Sequence, residues 1–243
     1  MSVVAAALAC ALAPSVAYAD WTVAAFLGGV ATQDTSLVIQ RPRDATDVTL
    51  SPVHYDSESF RSPVYYGYRA ACFPHTRWIG VEGELIHVKV VADTNRTTLA
   101  TGTISGENIA TSVPLSSIVD QFSITHGVNL LLVNAVMRHR MSIDSSGHAR
   151  WLLIGRLGAG ASLPHAESTI GGLHAEGYEW GAFSLQAAGG VEARVTKRLF
   201  VITEYKLTRT VQDVIVSEGT ARTPLTTHHV IAGVAARLGH GEL

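Results

Sequence analysis

The stretch Gly181–Leu207, GAFSLQAAGGVEARVTKRLFVITEYKL, alternates in character from one residue to the next. From Phe183, one parity reads Phe183, Leu185, Ala187, Gly189, Val191 and Ala193, and the other Ser184, Gln186, Ala188, Gly190, Glu192 and Arg194. After Thr196-Lys197-Arg198 the alternation resumes, with Leu199, Val201, Thr203, Tyr205 and Leu207 set against Phe200, Ile202, Glu204 and Lys206. Neighbouring side chains of a strand point to opposite faces, so each run has one charge-free face and one charged or small face. Both runs exceed the usual length of about five or six residues for a globular strand. They match the roughly nine to eleven of a tilted strand that crosses a bilayer. The pattern predicts two adjacent staves of a membrane barrel joined by a tight turn.

Six further runs share the pattern: Trp21–Ala31, Pro63–Phe73, Trp78–Asp93, Phe122–Arg140, Trp151–Leu163 and Thr226–Leu238. In Phe122–Arg140 the parity is open, because Leu130–Val133 is apolar on both faces; whether Asn134 and Arg138 point inward stays open with it. The connections alternate between long and short. The long ones are Thr32–Ser62, Asn95–Gln121, Pro164–Glu179 and Thr210–Pro224, all read as polar loops. Short turns on one side and long loops on the other are the arrangement of an up-and-down outer-membrane barrel. Trp21, Trp78 and Trp151 each open an outward-going strand, whereas Trp180 lies at the opposite rim near Tyr178, as two interfacial aromatic belts require. A water-soluble lipocalin-like barrel is the competing architecture, but it would put charges outside and a dry interior within. The expected fold is therefore all-β: an eight-stranded antiparallel up-and-down transmembrane β-barrel.

Composition bounds the rest. Val3–Val16 is apolar and ends in Ala17-Tyr18-Ala19 before Asp20, which reads as a cleaved signal peptide over residues 1–19, with the barrel domain over 20–243. The expected location is the outer membrane of a Gram-negative cell, and the expected partners are outer-membrane lipids, lipopolysaccharide and the barrel-assembly machinery. Lys plus Arg number 18 against 20 Asp plus Glu, so no nucleic-acid footprint is present. Cys72 is the one cysteine after residue 19, which leaves no intramolecular disulfide.

The inward parity collects Arg69, Glu82, Glu84, Arg156, Glu192, Arg194, Glu204, Lys206 and Arg237. Eight strands leave an interior just wide enough for side chains to fill, so this near-balanced set is expected to pair and plug the lumen, with no wide channel. Lys89 is expected to snorkel towards lipid phosphates. Histidines gather at the other level. His87, His126, His165, His228 and His229 fall on the outer side, with His54 and His174 in long loops. Imidazole is a common metal ligand and titrates near neutrality, so a rim site is a candidate for acid–base chemistry through His126, His165, Glu167 and Glu204. A divalent metal held by His126, His165 and His229 is the candidate cofactor. A hydrogen-bonding network at the rim is the plainer reading, because no tight ligand spacing is present.

As a pattern of strands and loops the chain resembles the eight-stranded OmpA-like barrels. More narrowly, Gly80-Val-Glu-Gly-Glu-Leu-Ile-His-Val-Lys89, His126-Gly-Val-Asn-Leu-Leu-Leu-Val-Asn134, Leu163-Pro-His165, Glu204-Tyr-Lys206 and Thr227-His-His229 resemble alphaproteobacterial outer-membrane proteins, some of them labelled lipid A oxidases. That resemblance implies oxidation of the proximal glucosamine of lipid A. Three functional readings follow: a barrel with a structural or surface-contact role through its long loops, an enzyme that modifies lipid A at the outer leaflet, and a narrow pore.

Overall fold

The computed structural model describes residues 20–74, 78–124, 127–145 and 147–238. The expected signal peptide and most of the short connection between the runs Pro63–Phe73 and Trp78–Asp93 lie outside them. In chain order the strands are β1 (Asp20–Thr32), β2 (Thr35–Arg41), β3 (Thr46–Val53), β4 (Tyr55–Asp56), β5 (Tyr66–Phe73), β6 (Ile79–His87), β7 (Val90–Ala92), β8 (Thr97–Ile104) and β9 (Glu107–Pro114). They continue with β10 (Val119–Ile124), β11 (Leu130–Ile143), β12 (Ala149–Ser162), β13 (His165–Ile170), β14 (Leu173–Tyr178), β15 (Phe183–Arg194), β16 (Leu199–Val216) and β17 (Gly219–Arg237).

Eight of these, β1, β5, β6, β11, β12, β15, β16 and β17, pair antiparallel in chain order, and β17 returns to β1 from Thr22–Arg237 to Thr32–Thr227. The result is a closed up-and-down barrel. Closure leaves no strand edge inside the bilayer, where an unpaired backbone group would cost several kcal/mol. Four residues, 195–198, join β15 to β16. β15 and β16 pair from Ser184–Thr210 to Arg194–Phe200 without a slip, and Thr196 Oγ1 accepts from the amides of Arg198 (3.3 Å) and Leu199 (3.1 Å) to hold the turn.

The outward face of the barrel is apolar. Leu27, Tyr68, Val81, Met137, Leu153, Leu157, Leu185, Leu199, Val201, Tyr205, Val230 and Val234 are exposed on it, and on β16 the outward row from Leu199 to Leu207 carries no charge. Trp78 and Trp151 are exposed at the end bearing the short turns; Tyr178, Trp180 (82 % exposed) and Phe183 sit at the other. An apolar band between two aromatic belts is the surface of a membrane-spanning barrel.

The long connections are not loops. β2, β3, β8 and β9 form a sheet extension that attaches to β17 through Thr220–Arg222 paired with Val38–Gln40. β14, β13, β10, β7 and β4 form a second sheet. The β16–β17 hairpin itself runs on to Val216–Gly219, through the segment expected to be a loop. Leu37, Ile39, Val48, Leu50, Val119, Phe122, Ile124, Val214, Val216 and Leu225 are buried in this head. Each such side chain contributes about 1.5–3 kcal/mol when fully buried. Segments such as Thr35–Arg41 and Thr46–Val53 read as polar because their outward parity is polar, while Leu37, Ile39, Val48 and Leu50 hold the inward one.

Two of the expected runs are also divided. Trp78–Asp93 passes from the barrel to the head after His87, and Phe122–Arg140 splits into β10 and β11. Gly127 (φ +97°) and Asn129 (φ +45°) break the second one by taking positive φ, which glycine adopts freely and asparagine tolerates.

Candidate functional site

The strand period puts one side chain in two into the lumen, and there the charges meet in tiers. The middle tier holds three carboxylates, Glu82, Glu84 and Glu204, and three cations, Arg69, Arg156 and Lys206. Arg156 donates to Glu82 at 2.9 Å and to Glu204; Arg69 donates to Glu204 at 3.2 Å; Lys206 pairs with Glu84 and lies 3.2 Å from Glu204. Two amides complete the set. Asn134 donates to Glu82 (3.0 Å) and Glu84 (2.9 Å), and Gln186 donates to Glu84 (2.7 Å). Asn134 and Arg138 therefore face inward, which settles the parity of β11. The ring of Phe26 lies beneath Lys206 Nζ (4.6 Å) and Arg69 (5.4 Å), and it fits because Gly67 has no side chain: a Cβ there would stand 2.1 Å from the ring.

A lower tier follows. Arg138 donates to Asp20 at 2.6 Å and stacks on Phe73, Arg237 lies 3.9 Å from Glu192 and over Phe200, and Arg194 pairs with Asp144 in the short β11–β12 turn. Arg194 thus sits at the barrel end, apart from the central set. The void among Arg69, Glu82, Arg138, Arg156 and Glu192 measures about 10 Å³, room for about one water molecule. Buried charges are tolerable only when paired and hydrogen-bonded, and the middle tier meets that condition with equal numbers of each sign.

Above the charges the lumen becomes neutral. His229, fully buried, bridges Thr208 Oγ1 (2.8 Å) and the Tyr65 hydroxyl (3.1 Å). Ser184, Thr210, Gln212 and Ser162 continue the chain of hydrogen bonds upward. In the head, Tyr55 hydrogen-bonds Thr223 at 3.0 Å, and burial pushes its phenol pKa up by more than that bond lowers it. It stays protonated across the physiological range.

The structure does not assemble the expected rim site. Glu204 lies in the middle tier, saturated by three cations, and His229 in the neutral column. His165 and Glu167 belong instead to the second sheet of the head. His126 lies outside the described residues. Among the described residues no three His, Cys, Asp or Glu side chains are arranged to hold a metal ion. Lys89 does not snorkel: it is buried and donates to the Arg61 carbonyl at 3.0 Å, with Glu58 at 3.6 Å. His87 stacks on Tyr66 and bonds Asn129, while His54 pairs with Asp34 at 2.6 Å.

One histidine grouping does form. On the β13–β14 hairpin, cross-strand pairing puts His165, Glu167, His174 and Glu176 on one face; His165 Nε2 lies 3.3 Å from Glu176 and His174 Nε2 3.9 Å from its other oxygen. Sequence reading missed His174 and Glu176 as partners because it took this segment for a loop. It left Asn134 open with the parity of its run, placed Gln186 on the charged face without naming it as a partner of the lumen charges, and missed Asp20.

No protein-family model matches the chain, and no curated protein matches it. Among solved structures, the chain is similar to Ail, the attachment invasion locus protein of Yersinia pestis (10 % identity, 91 % of this chain and 99 % of that one, TM-score 0.36). It is also similar to Neisserial surface protein A (12 % identity, 90 % and 97 %, TM-score 0.36) and to the outer membrane protease OmpT from Escherichia coli (9 % identity, 93 % and 99 %, TM-score 0.43).

Proposed function

We propose that the protein is an integral outer-membrane barrel that holds a folded β head at the cell surface and acts by contact through that head. The observation that carries this reading is the continuity of β16 and β17. The two strands pair without a slip from the barrel floor to the head core, so the head is rigidly mounted on the membrane anchor. The closed lumen favours display over transport.

The test is fractionation followed by protease treatment of intact cells. The barrel should be recovered in the outer-membrane fraction with heat-modifiable gel migration, and a tag inserted at Ser217 should be accessible from outside. Recovery as a soluble periplasmic protein would end the reading.

The His165–Glu176–His174 face supports a second reading, modification of lipid A at the outer leaflet, since it joins imidazoles and a carboxylate on the head. Mass spectrometry of lipid A from cells with and without the gene separates the two. An unchanged profile removes the enzyme.

A further inference from the structure

The sheets of the head end in three outer strands, β4 and β14 in one and β9 in the other. A free strand edge is a row of unpaired amides and carbonyls, and proteins guard such edges with short strands, charges, bulges or proline. β4 has two residues, and β14 carries His174 and Glu176. β9, Glu107–Pro114 with the sequence ENIATSVP, is left open along its middle. It is eight residues long and runs beside β8 without a slip from Thr97–Pro114 to Ile104–Glu107. Its one charge is its first residue and its one proline is its last. No strand pairs its far side among the described residues.

The head core also stops short at this edge. Register carries the rows Ile39–Val48–Gly102–Ile109 and Leu37–Leu50–Ala100–Thr111 across β2, β3, β8 and β9. Ile39, Val48, Leu37, Leu50 and Ala100 are buried, whereas Ile109 and Val113 are half-buried and Thr111 is exposed. One added strand would cover all three.

The strand is complementary to itself. Residues directly opposite in a sheet share a face, so a two-fold antiparallel pair of β9 has to be centred on a residue. Centred on Thr111, it sets Ile109 against the partner's Val113, and Val113 against the partner's Ile109, on the core-facing side. Ala110 then meets the partner's Ser112 on the other side, and Glu107 lies far from its counterpart. Centring on Ala110 would instead set Glu107 against Val113 and lose the apolar pairs.

We infer that β9 is a docking edge for a second copy of this chain, joined by antiparallel pairing about Thr111. Backbone hydrogen bonds supply the attraction and the Ile109–Val113 contacts fix the register. β9 starts at the head tip, where Asn108 shares a row with Thr103, Asp47, Gln40 and Thr220, and runs back towards the barrel. Two copies in one membrane present it in the same direction, so the antiparallel pair joins copies on facing membranes. The inference rests on the proposed display of the head and deepens it by naming the partner.

The full chain purified in mild detergent tests the pairing apart from its place in a cell. Thr111→Cys faces itself across the pair, at a spacing a disulfide can span, and should give a crosslinked dimer on mild oxidation. Cys72 is buried and does not compete. Glu107→Cys, exposed but roughly 25 Å from its counterpart, should stay monomeric. Ala110→Lys/Ser112→Lys sets lysine against lysine twice and should weaken dimerisation about tenfold in sedimentation, with heat-modifiable migration kept. Mixing that chain with Ala110→Glu/Ser112→Glu should restore a dimer, a rescue that a misfolded head would not give. Vesicles bearing the parent should cluster, and those bearing the lysine variant should stay apart. A parent that remains monomeric would overturn the inference, as would equal crosslinking of the two cysteine variants, no recovery in the mixed chains, or vesicles that never cluster. A dimer that forms in detergent while a tag at Ser217 is inaccessible on intact cells would overturn the display reading and leave the pairing in place.

Discussion

Lys206 is fully buried, and its ammonium is shared between Glu84 and Glu204 over the Phe26 ring. Removing one partner of a buried charge set is costlier than removing a matched pair, because the remaining charge is left without compensation in a low dielectric. Lys206→Met, which keeps length and apolar bulk, should therefore destabilise the barrel by about 3–5 kcal/mol in urea unfolding from lipid vesicles. Adding Glu84→Gln should recover a large part of that loss, since the tier would again hold two acids and two bases. Additive losses in the double variant would show that the two residues are not coupled. These residues were readable in the sequence as an inward parity of mixed charge, because a strand fixes the face of every second side chain. Which acid meets which base was not readable, since that depends on the stagger between strands distant in sequence, such as Glu84 with Lys206.

At the scale of elements, the head tests whether the long connections fold as a unit. Ile39 and Leu50 are fully buried in its hydrophobic core. Ile39→Asp would bury an unpaired carboxylate, which the head can avoid only by opening. The expected outcome is trypsin cleavage at Arg43, Arg61 and Arg96 while the eight-stranded barrel keeps its heat-modifiable migration. Loss of the barrel as well would make head and barrel one cooperative unit. Alkaline pH probes the same element. The Tyr55 phenol is raised in the folded head above its ordinary value near 10, so its contribution is fully present below that pH and is lost as the pH climbs above it. Intrinsic fluorescence should report the head opening above pH 10, and Tyr55→Phe should reduce that sensitivity. The barrel staves were legible because their outward parity is uniformly apolar. The head strands were not, because in Thr46–Val53 or Thr97–Ile104 a solvated face dilutes the signal and composition then favours a loop. The rim site failed for a related reason. His165 and Glu167 sit beside the barrel rim in sequence, yet β13 leaves the barrel for the second sheet and separates them from Glu204 and His229.

Across the whole molecule the lumen and the head are two seals in series. The inward face of β16 and β17 passes from Glu204 and Lys206, through Thr208, Thr210 and Gln212, to Val214, Val216 and Leu225, with no exposed position between. An ion entering from the head side would have to cross the apolar core of the head, then the neutral column, and then the charge-balanced middle tier. Opening one seal leaves the other intact. Glu84→Ala/Lys206→Ala removes one acid and one base, keeps the tier neutral and clears two side chains from the lumen, yet the head still closes the mouth. Ile39→Asp opens the head, yet the charge tier still fills the barrel. In planar bilayers the parent and each of these variants should stay at baseline conductance, and discrete channel steps should emerge only when the substitutions are combined. Steps from Glu84→Ala/Lys206→Ala alone would mean that the head leaves the mouth open, and that display through a sealed anchor is the wrong description of the protein.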